Sequence, residues 1–87
     1  MTFESTIVYP GRIRIMRILA QKGEATVHQL KTLTGNDHGV ILKHLHALEK
    51  SGVVAQKLVG KTRLWTYADT PRGCAVKKFF VEMEEKQ

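Results

Sequence analysis

The sequence has few of the features that mark secreted, metal-binding or membrane proteins. Its one cysteine, Cys74, excludes an internal disulfide and leaves no cysteine pair to bind a metal ion. The longest apolar stretches are far shorter than the roughly 18 residues that a membrane span requires, and the N-terminus has no basic start followed by an apolar run. We therefore expect a cytoplasmic protein with no membrane partner, no metal and no cofactor.

The patterns of catalysis are absent as well. The sequence contains no glycine loop of the phosphate-binding kind, no pair of carboxylates within its body, and no serine or cysteine beside a plausible base. Four histidines, His28, His38, His44 and His46, could suggest a metal site, but their spacings do not gather them on one helix face. The sequence predicts no enzyme activity and no catalytic residue.

Acidic residues are scarce and unevenly placed. The chain has 14 lysines and arginines against 8 aspartates and glutamates, a formal net charge of +6. Three of those acids lie in the last six residues, so that residues 1–81 hold 13 basic and 5 acidic residues. A basic body with an acidic end is typical of a protein that binds a polyanion, although ribosomal and membrane-surface proteins share this feature.

The length allows a single domain, which we place at residues 1–87. A chain of this size buries only about 60% of the surface that its unfolded form exposes. Its own core is therefore marginal, and a second subunit would add buried surface. The length favours a homodimer before any motif is considered.

Apolar periodicity and capping signals predict three helices in the first half of the chain, at about 12–22, 27–34 and 37–50. The first has apolar residues on more than one face, which suggests that it packs against both the core and a second subunit. Thr26 is a good N-cap for the second helix. Gly35 supplies the tight turn that leads to the third.

The second half of the chain predicts a hairpin followed by one more helix. Strands at about 53–59 and 63–68 flank a basic tip at 60–62. A threonine and a proline at 70–71 then open a helix of about 71–86. The predicted fold is α+β and mostly α, a winged helix-turn-helix with a two-stranded β-hairpin wing and a C-terminal dimerisation helix.

The second and third helices match the two helices of a DNA-binding helix-turn-helix. One face of the third carries Ile41, Leu45 and Leu48 for the core, and no acid is expected on its opposite face. Lys43 and His46 on that opposite face are the best candidates for contacts to bases or nearby phosphates. The residues predicted to contact double-stranded DNA are Thr26, Asn36, His38, Gly39, Val40, Lys43, His46, Ala47, Lys50, Lys61, Thr62 and Arg63.

The hairpin has a basic tip and aromatic residues nearer its base. Lys61 and Arg63 could follow the phosphate backbone or enter the adjacent minor groove. Trp65 and Tyr67 alternate along the second strand, as residues that face the core do, although a stacking platform for nucleic-acid bases uses the same residue types. We interpret the two aromatic residues as core or dimer packing.

The whole run resembles the winged helix-turn-helix domain of MarR and ArsR transcriptional regulators, especially small archaeal ones. The resemblance covers roughly residues 10–75 and is carried by RIMRILAQKGEATVHQL, GVILKHLHALEKSGVV and KLVGKTRLWTYADTPRG. It implies a repressor that binds a pseudo-palindromic site as a homodimer, with an interface made by the terminal helices. The interface residues that it implies are Ile7, Tyr9, Ile13, Met16, Val76, Phe79, Phe80 and Met83.

The chain also departs from that family. Asn36, Asp37 and His38 stand where ArsR metal sensors carry paired thiolates, which argues against metal sensing. The short chain leaves little room for the ligand pocket of larger MarR proteins, and any small-molecule effector is unknown. Cys74 is expected to be packed and inert, although an exposed thiol could form a disulfide between subunits.

Two other functions fit the same sequence. An architectural protein that coats DNA without sequence preference would have a similar basic body. A winged helix can also serve as a protein-docking module.

Overall fold

The computed structural model describes residues 9–85, which form four helices and three strands. The helices are α1 Pro10–Lys22, α2 Val27–Thr34, α3 His38–Lys50 and α4 Pro71–Glu85. The strands are β1 Glu24–Ala25, β2 Val54–Val59 and β3 Thr62–Tyr67. This order confirms the predicted winged helix-turn-helix fold. No helix within residues 9–85 is long and apolar enough to cross a membrane.

Local signals set the ends of the helix-turn-helix. The Thr26 hydroxyl accepts a hydrogen bond from the backbone N–H of Gln29 at 3.1 Å, and the Gln29 side chain accepts one from the Thr26 N–H at 2.9 Å. This reciprocal pair starts α2. Gly35 ends α2 with a φ of 76°, a conformation that suits glycine. Asp37 takes the N-cap position of α3, but its side chain makes no capping hydrogen bond.

The sheet has one more strand than the predicted hairpin, in the antiparallel order β1, β3, β2. Glu24 pairs with Thr66, and Ala25 pairs with Trp65. The sequence analysis treats these two N-terminal residues as a link, because two residues are too few to reveal a period. Their pairing fastens the segment before α2 to the strand that carries the aromatic residues.

The hairpin between β2 and β3 is tighter than predicted. Thr62 pairs with Val59, so the turn consists of Gly60 and Lys61 alone, and Thr62 belongs to β3. At the other end of β3, Trp65 and Tyr67 are buried, which confirms that the aromatic residues face the core.

A single apolar core joins the helices to the inner face of the sheet, and the Tyr67 hydroxyl donates to the Met16 carbonyl across it at 2.5 Å. The structure corrects three of the predicted interface residues, since Met16, Val76 and Phe80 lie in this core. Phe80 is only 5% exposed, and a side chain enclosed within its own chain has little surface to offer a second subunit. Ile7 lies outside the described residues. The most completely buried large side chains are Trp65, Ile15, Met16, Leu19, Leu30, Ile41, Leu45, Leu48, Val53 and Val54.

Candidate nucleic-acid interface

Helix α3 presents small, basic and hydrogen-bonding residues to solvent. Its opposite row, Ile41, Leu45 and Leu48, is fully buried as predicted. Asn36, just before the helix, and Ala47 are half-buried. This division lets the helix enter a major groove about 12 Å wide while it keeps its core contacts. The exposed residues predicted to contact DNA on this helix are His38, Gly39, Val40, Lys43, His46 and Lys50.

The turn before α3 is braced from α1. Arg14 Nη1 donates to the carbonyl of Thr34 at 3.3 Å. The Thr34 hydroxyl donates to the Leu30 carbonyl at 2.7 Å and accepts from the Asn36 N–H at 3.3 Å. These bonds link α1, the end of α2 and the turn before α3, and so brace the connection between the two helices of the motif.

The hairpin carries exposed cations at its tip and on its inner face. Lys61 lies in the two-residue turn, and Arg63 lies two residues before Trp65 on the same face of β3. Thr62 is exposed between them. Lys57 of β2 differs from these two cations, because its Nζ lies 2.6 Å from the Glu24 carboxylate.

A groove of about 450 Å³ separates α3 from the hairpin. Arg63 and three histidines are its ionisable lining residues, and no aspartate or glutamate lines it. It gathers five of the predicted contact residues and five that sequence reasoning missed. The predicted residues are Thr26, His38, His46, Thr62 and Arg63, and the missed ones are Val27, His28, Leu42, Gln56 and Trp65.

The groove brings together three histidines that the sequence analysis does not place on one face. His38 and His46 belong to one row of α3, with Leu42 between them at four-residue intervals, and His28 joins them from α2. The row was visible in the sequence, whereas the approach of α2 was not. Among the described residues, no group of three or more histidine, cysteine, aspartate or glutamate side chains is placed to hold a metal ion.

His46 contacts Glu49 on its own helix and Trp65 on β3. Its Nδ1 lies 3.3 Å from Oε1 of Glu49, and Gln56 Nε2 donates to Oε2 of the same carboxylate at 3.0 Å. The ring also meets Trp65 edge to face, with 5.5 Å between ring centroids. The expectation of a face without acids is therefore wrong at its C-terminal end, because a side chain three residues on in a helix reaches back to its neighbour.

His44 has a structural role, as its place at the edge of the buried face predicts. Arg12 Nε donates to His44 Nδ1 at 3.1 Å, and the Arg12 guanidinium lies 4.4 Å from the centre of the Tyr9 ring. Burial, and then the charges of Arg12 and Lys43, lower the pKa of His44. A Cβ at Gly11 would lie 2.8 Å from His44 Nε2, which explains why glycine suits that position.

Several predicted interface residues keep exposed apolar surface. Tyr9, Phe79 and Met83 are exposed, and Ile13 is half-buried. Their contact with a second subunit remains a prediction. Cys74 is also exposed, so the interpretation of this residue as a packed cysteine is wrong.

Helix α3, the basic hairpin and the groove between them, which no aspartate or glutamate lines, are the arrangement expected of a DNA-binding winged helix-turn-helix. A sequence profile of the arsR family of bacterial regulatory proteins matches residues 9–56, more than half of the chain. The chain belongs to the ArsR family. The matched stretch runs from the start of α1 through α3 into β2, and so contains the complete helix-turn-helix.

Solved structures share the fold. The transcriptional repressor BigR from Xylella fastidiosa gives a TM-score of 0.82 at 19% identity, covering 97% of this chain and 82% of that one. HlyU from Vibrio cholerae gives 0.76 at 18% identity, covering 97% and 88%. A transcriptional regulator homologue from Pyrococcus horikoshii gives 0.70 at 21% identity, covering 97% and 85%. At these identities the likeness shows the fold alone. No curated protein matches the chain.

Membership of the ArsR family establishes the general activity of this chain. It is a DNA-binding transcriptional regulator whose partner is double-stranded DNA, and it is not an enzyme.

Proposed function

We propose that this ArsR-family protein is a cytoplasmic repressor that binds a specific, pseudo-palindromic DNA site as a homodimer. The observation that carries the proposal is the exposed face of α3 beside a basic hairpin, with no acid in the groove between them. Lys43 on α3 and Lys61 and Arg63 on the hairpin supply positive charge on both elements, and Arg63 is the one of the three that lines the groove. Side chains on the helix can then read base edges while the hairpin follows the backbone.

Exposed apolar surface on the terminal helices supports the homodimer. Tyr9 precedes α1, Phe79 and Met83 belong to α4, and α1 packs against α4. A two-fold dimer through these helices would present two α3 helices about 34 Å apart, one turn of B-DNA. Such spacing requires a site with two similar half-sites.

Repression is the simplest regulatory outcome of this mode of binding. A dimer seated on a promoter blocks access by the polymerase without any further contact. The name of BigR, a transcriptional repressor of the same fold, agrees with this role.

The test is selection of binding sites from random duplex DNA with the purified protein. We expect an enriched motif with two-fold symmetry, bound about 10³-fold or more tightly than a scrambled duplex at the same salt concentration. A K43A variant should lose discrimination among motif variants if Lys43 contacts base edges, and should lose affinity uniformly if it contacts phosphate alone. Tight binding without any motif would replace this proposal with the architectural function.

One observation favours a docking module as the second candidate. Leu58 is 67% exposed and Val59 is 54% exposed near the tip of the hairpin, where a DNA wing has no need of apolar side chains. If the selection yields no DNA binding at all, this apolar pair becomes the first surface to test against protein partners.

A further inference from the structure

We propose that the groove between α3 and the β2–β3 hairpin seats a phosphate group of the DNA backbone, and that its histidines take up protons when the strand enters. This inference rests on the proposed function, the binding of a specific DNA site by a homodimer. The phosphate seat, the residues that line it and the dependence of DNA affinity on pH go beyond the binding of a specific DNA site.

The lining of the groove fits a phosphodiester and its sugars. Arg63 supplies a permanent positive charge from β3, and a guanidinium can donate two hydrogen bonds to one phosphate. The half-buried side chains of Leu42 and Val27 provide apolar surface for the adjoining deoxyribose rings. No carboxylate lines the groove to repel the strand.

His46 shows why proton uptake accompanies an anion. The ionised Glu49 carboxylate can only accept hydrogen bonds, so its contact with Nδ1 requires the proton of His46 to be on Nδ1. This leaves Nε2 for a ligand. In the neutral ring, the lone pair of Nε2 faces the oxygens of a phosphate unfavourably, whereas in the charged ring Nε2 becomes a donor to them. A phosphate beside this ring therefore favours the protonated state.

The charges around the groove do not cancel this effect. His28 faces it from α2, His38 and His46 from α3, and Arg63 from β3, while β2 contributes only the neutral Gln56. The Glu49 carboxylate contacts His46 and Gln56 and does not line the groove, and it keeps its negative charge beside His46 in the free protein and in the complex alike. An entering strand consequently meets one fixed cation and three histidines, the residue type best suited to gain a proton when an anion binds near neutral pH.

By linkage, a complex that binds more protons than its free components becomes tighter as the pH falls. Uptake of about half a proton per bound dimer would strengthen DNA binding about tenfold between pH 8 and pH 6. The sign is opposite to that expected from His44, whose protonation opposes folding.

The experiment measures the affinity for the selected duplex by fluorescence anisotropy from pH 6 to pH 8 at constant ionic strength. The test variant replaces the three groove histidines, H28Q/H38Q/H46Q, and leaves His44 in place. Its matched control is K43Q, which removes an exposed charge on the same helix that does not line the groove. Circular dichroism limits the comparison to conditions in which every variant is folded.

We expect the wild-type affinity to rise about tenfold towards pH 6 and the triple variant to have a flat profile. K43Q should bind more weakly than wild type at every pH but with the wild-type slope, because lysine side chains stay charged across this range. Trp65 is the single tryptophan and its buried ring meets that of His46, so its emission should change when DNA reaches His46. DNA binding with no pH dependence, or with the same dependence in the triple variant, would overturn this proposal while leaving DNA binding intact. Failure to bind DNA at any pH would instead refute the proposed function.

Discussion

Arg12 Nε donates a hydrogen bond to Nδ1 of His44 at 3.1 Å, and this bond connects the first turn of α1 to the middle of α3. The acceptor nitrogen must be unprotonated, because a protonated Nδ1 would direct its hydrogen at the guanidinium. Burial, and then the nearby charges of Arg12 and Lys43, lower the pKa of His44. Like the hydrogen bond, they favour the unprotonated ring. The contact between these helices is therefore sensitive to acid.

The first prediction concerns this acid sensitivity. The unfolded chain binds a proton at His44 more readily than the folded chain, so the free energy of unfolding should fall as the pH drops below about 6.5. Urea unfolding at pH 8, 6.5 and 5 measures it. The H44N variant retains an acceptor near the position of Nδ1 but cannot titrate, and it should lose less stability between pH 8 and pH 5 than wild type. An equal loss in both proteins would assign the effect to other groups.

The second prediction concerns Gly73, in the first turn of α4. A Cβ at this position would lie 2.2 Å from the Ala68 carbonyl oxygen, and backbone cannot move aside as a flexible side chain can. We expect G73A to lower the free energy of unfolding by roughly 1–3 kcal/mol. G39A is the matched control, because a Cβ at Gly39 meets nothing within 4 Å and alanine favours the helix by about 0.5–1 kcal/mol. If G73A unfolds at a temperature equal to or above that of G39A, the backbone at Ala68 moves aside without destabilising the protein.

Features that depend on neighbouring residues could be predicted from the sequence. The reciprocal cap between Thr26 and Gln29 and the left-handed Gly35 are set within a few positions, and the prediction of a helix-turn-helix there is confirmed. The alternation of Trp65 and Tyr67 correctly indicates the buried face of β3.

Features that depend on distant segments could not be predicted. Strand β1 is two residues long, and Glu24 finds its partner Thr66 far along the chain. An apolar helix face likewise does not reveal which surface covers it, which is why the sequence predicts Phe80 at an interface, whereas it lies in the core. The groove has the same origin, since it joins residues of α2, α3 and both hairpin strands. The row His38 to His46 was its only local sign.

The third prediction separates two adjacent aromatic residues on α4. Phe79 is 57% exposed, whereas Phe80 is 5% exposed, and their rings meet edge to face at 5.2 Å. F79E should shift the protein towards a monomer in sedimentation velocity while its helical circular dichroism is retained, because a charge disrupts an apolar interface. F80A should instead lower the free energy of unfolding by roughly 3–5 kcal/mol, since it opens a cavity in the core. If F79E sediments as wild type does across protein concentrations, α4 does not form the dimer interface through this residue.

The fourth prediction concerns the cations of the hairpin. Lys61 lies in the turn and Arg63 beside the groove, so both are placed to contact phosphates, and each lost phosphate contact lowers the salt slope of DNA binding by about 0.9. K61A/R63A should therefore bind the selected duplex more weakly at low salt, with a slope of log affinity against log salt that is smaller by about 3.6, because a dimer of the variant loses four phosphate contacts. Titrations at four salt concentrations measure the slope. K57A is the control, because Lys57 is already paired with Glu24 at 2.6 Å, and its slope should stay close to wild type. Equal slopes in wild type and K61A/R63A would mean that the hairpin does not act as a DNA wing, and the exposed Leu58 would then direct attention to a protein partner.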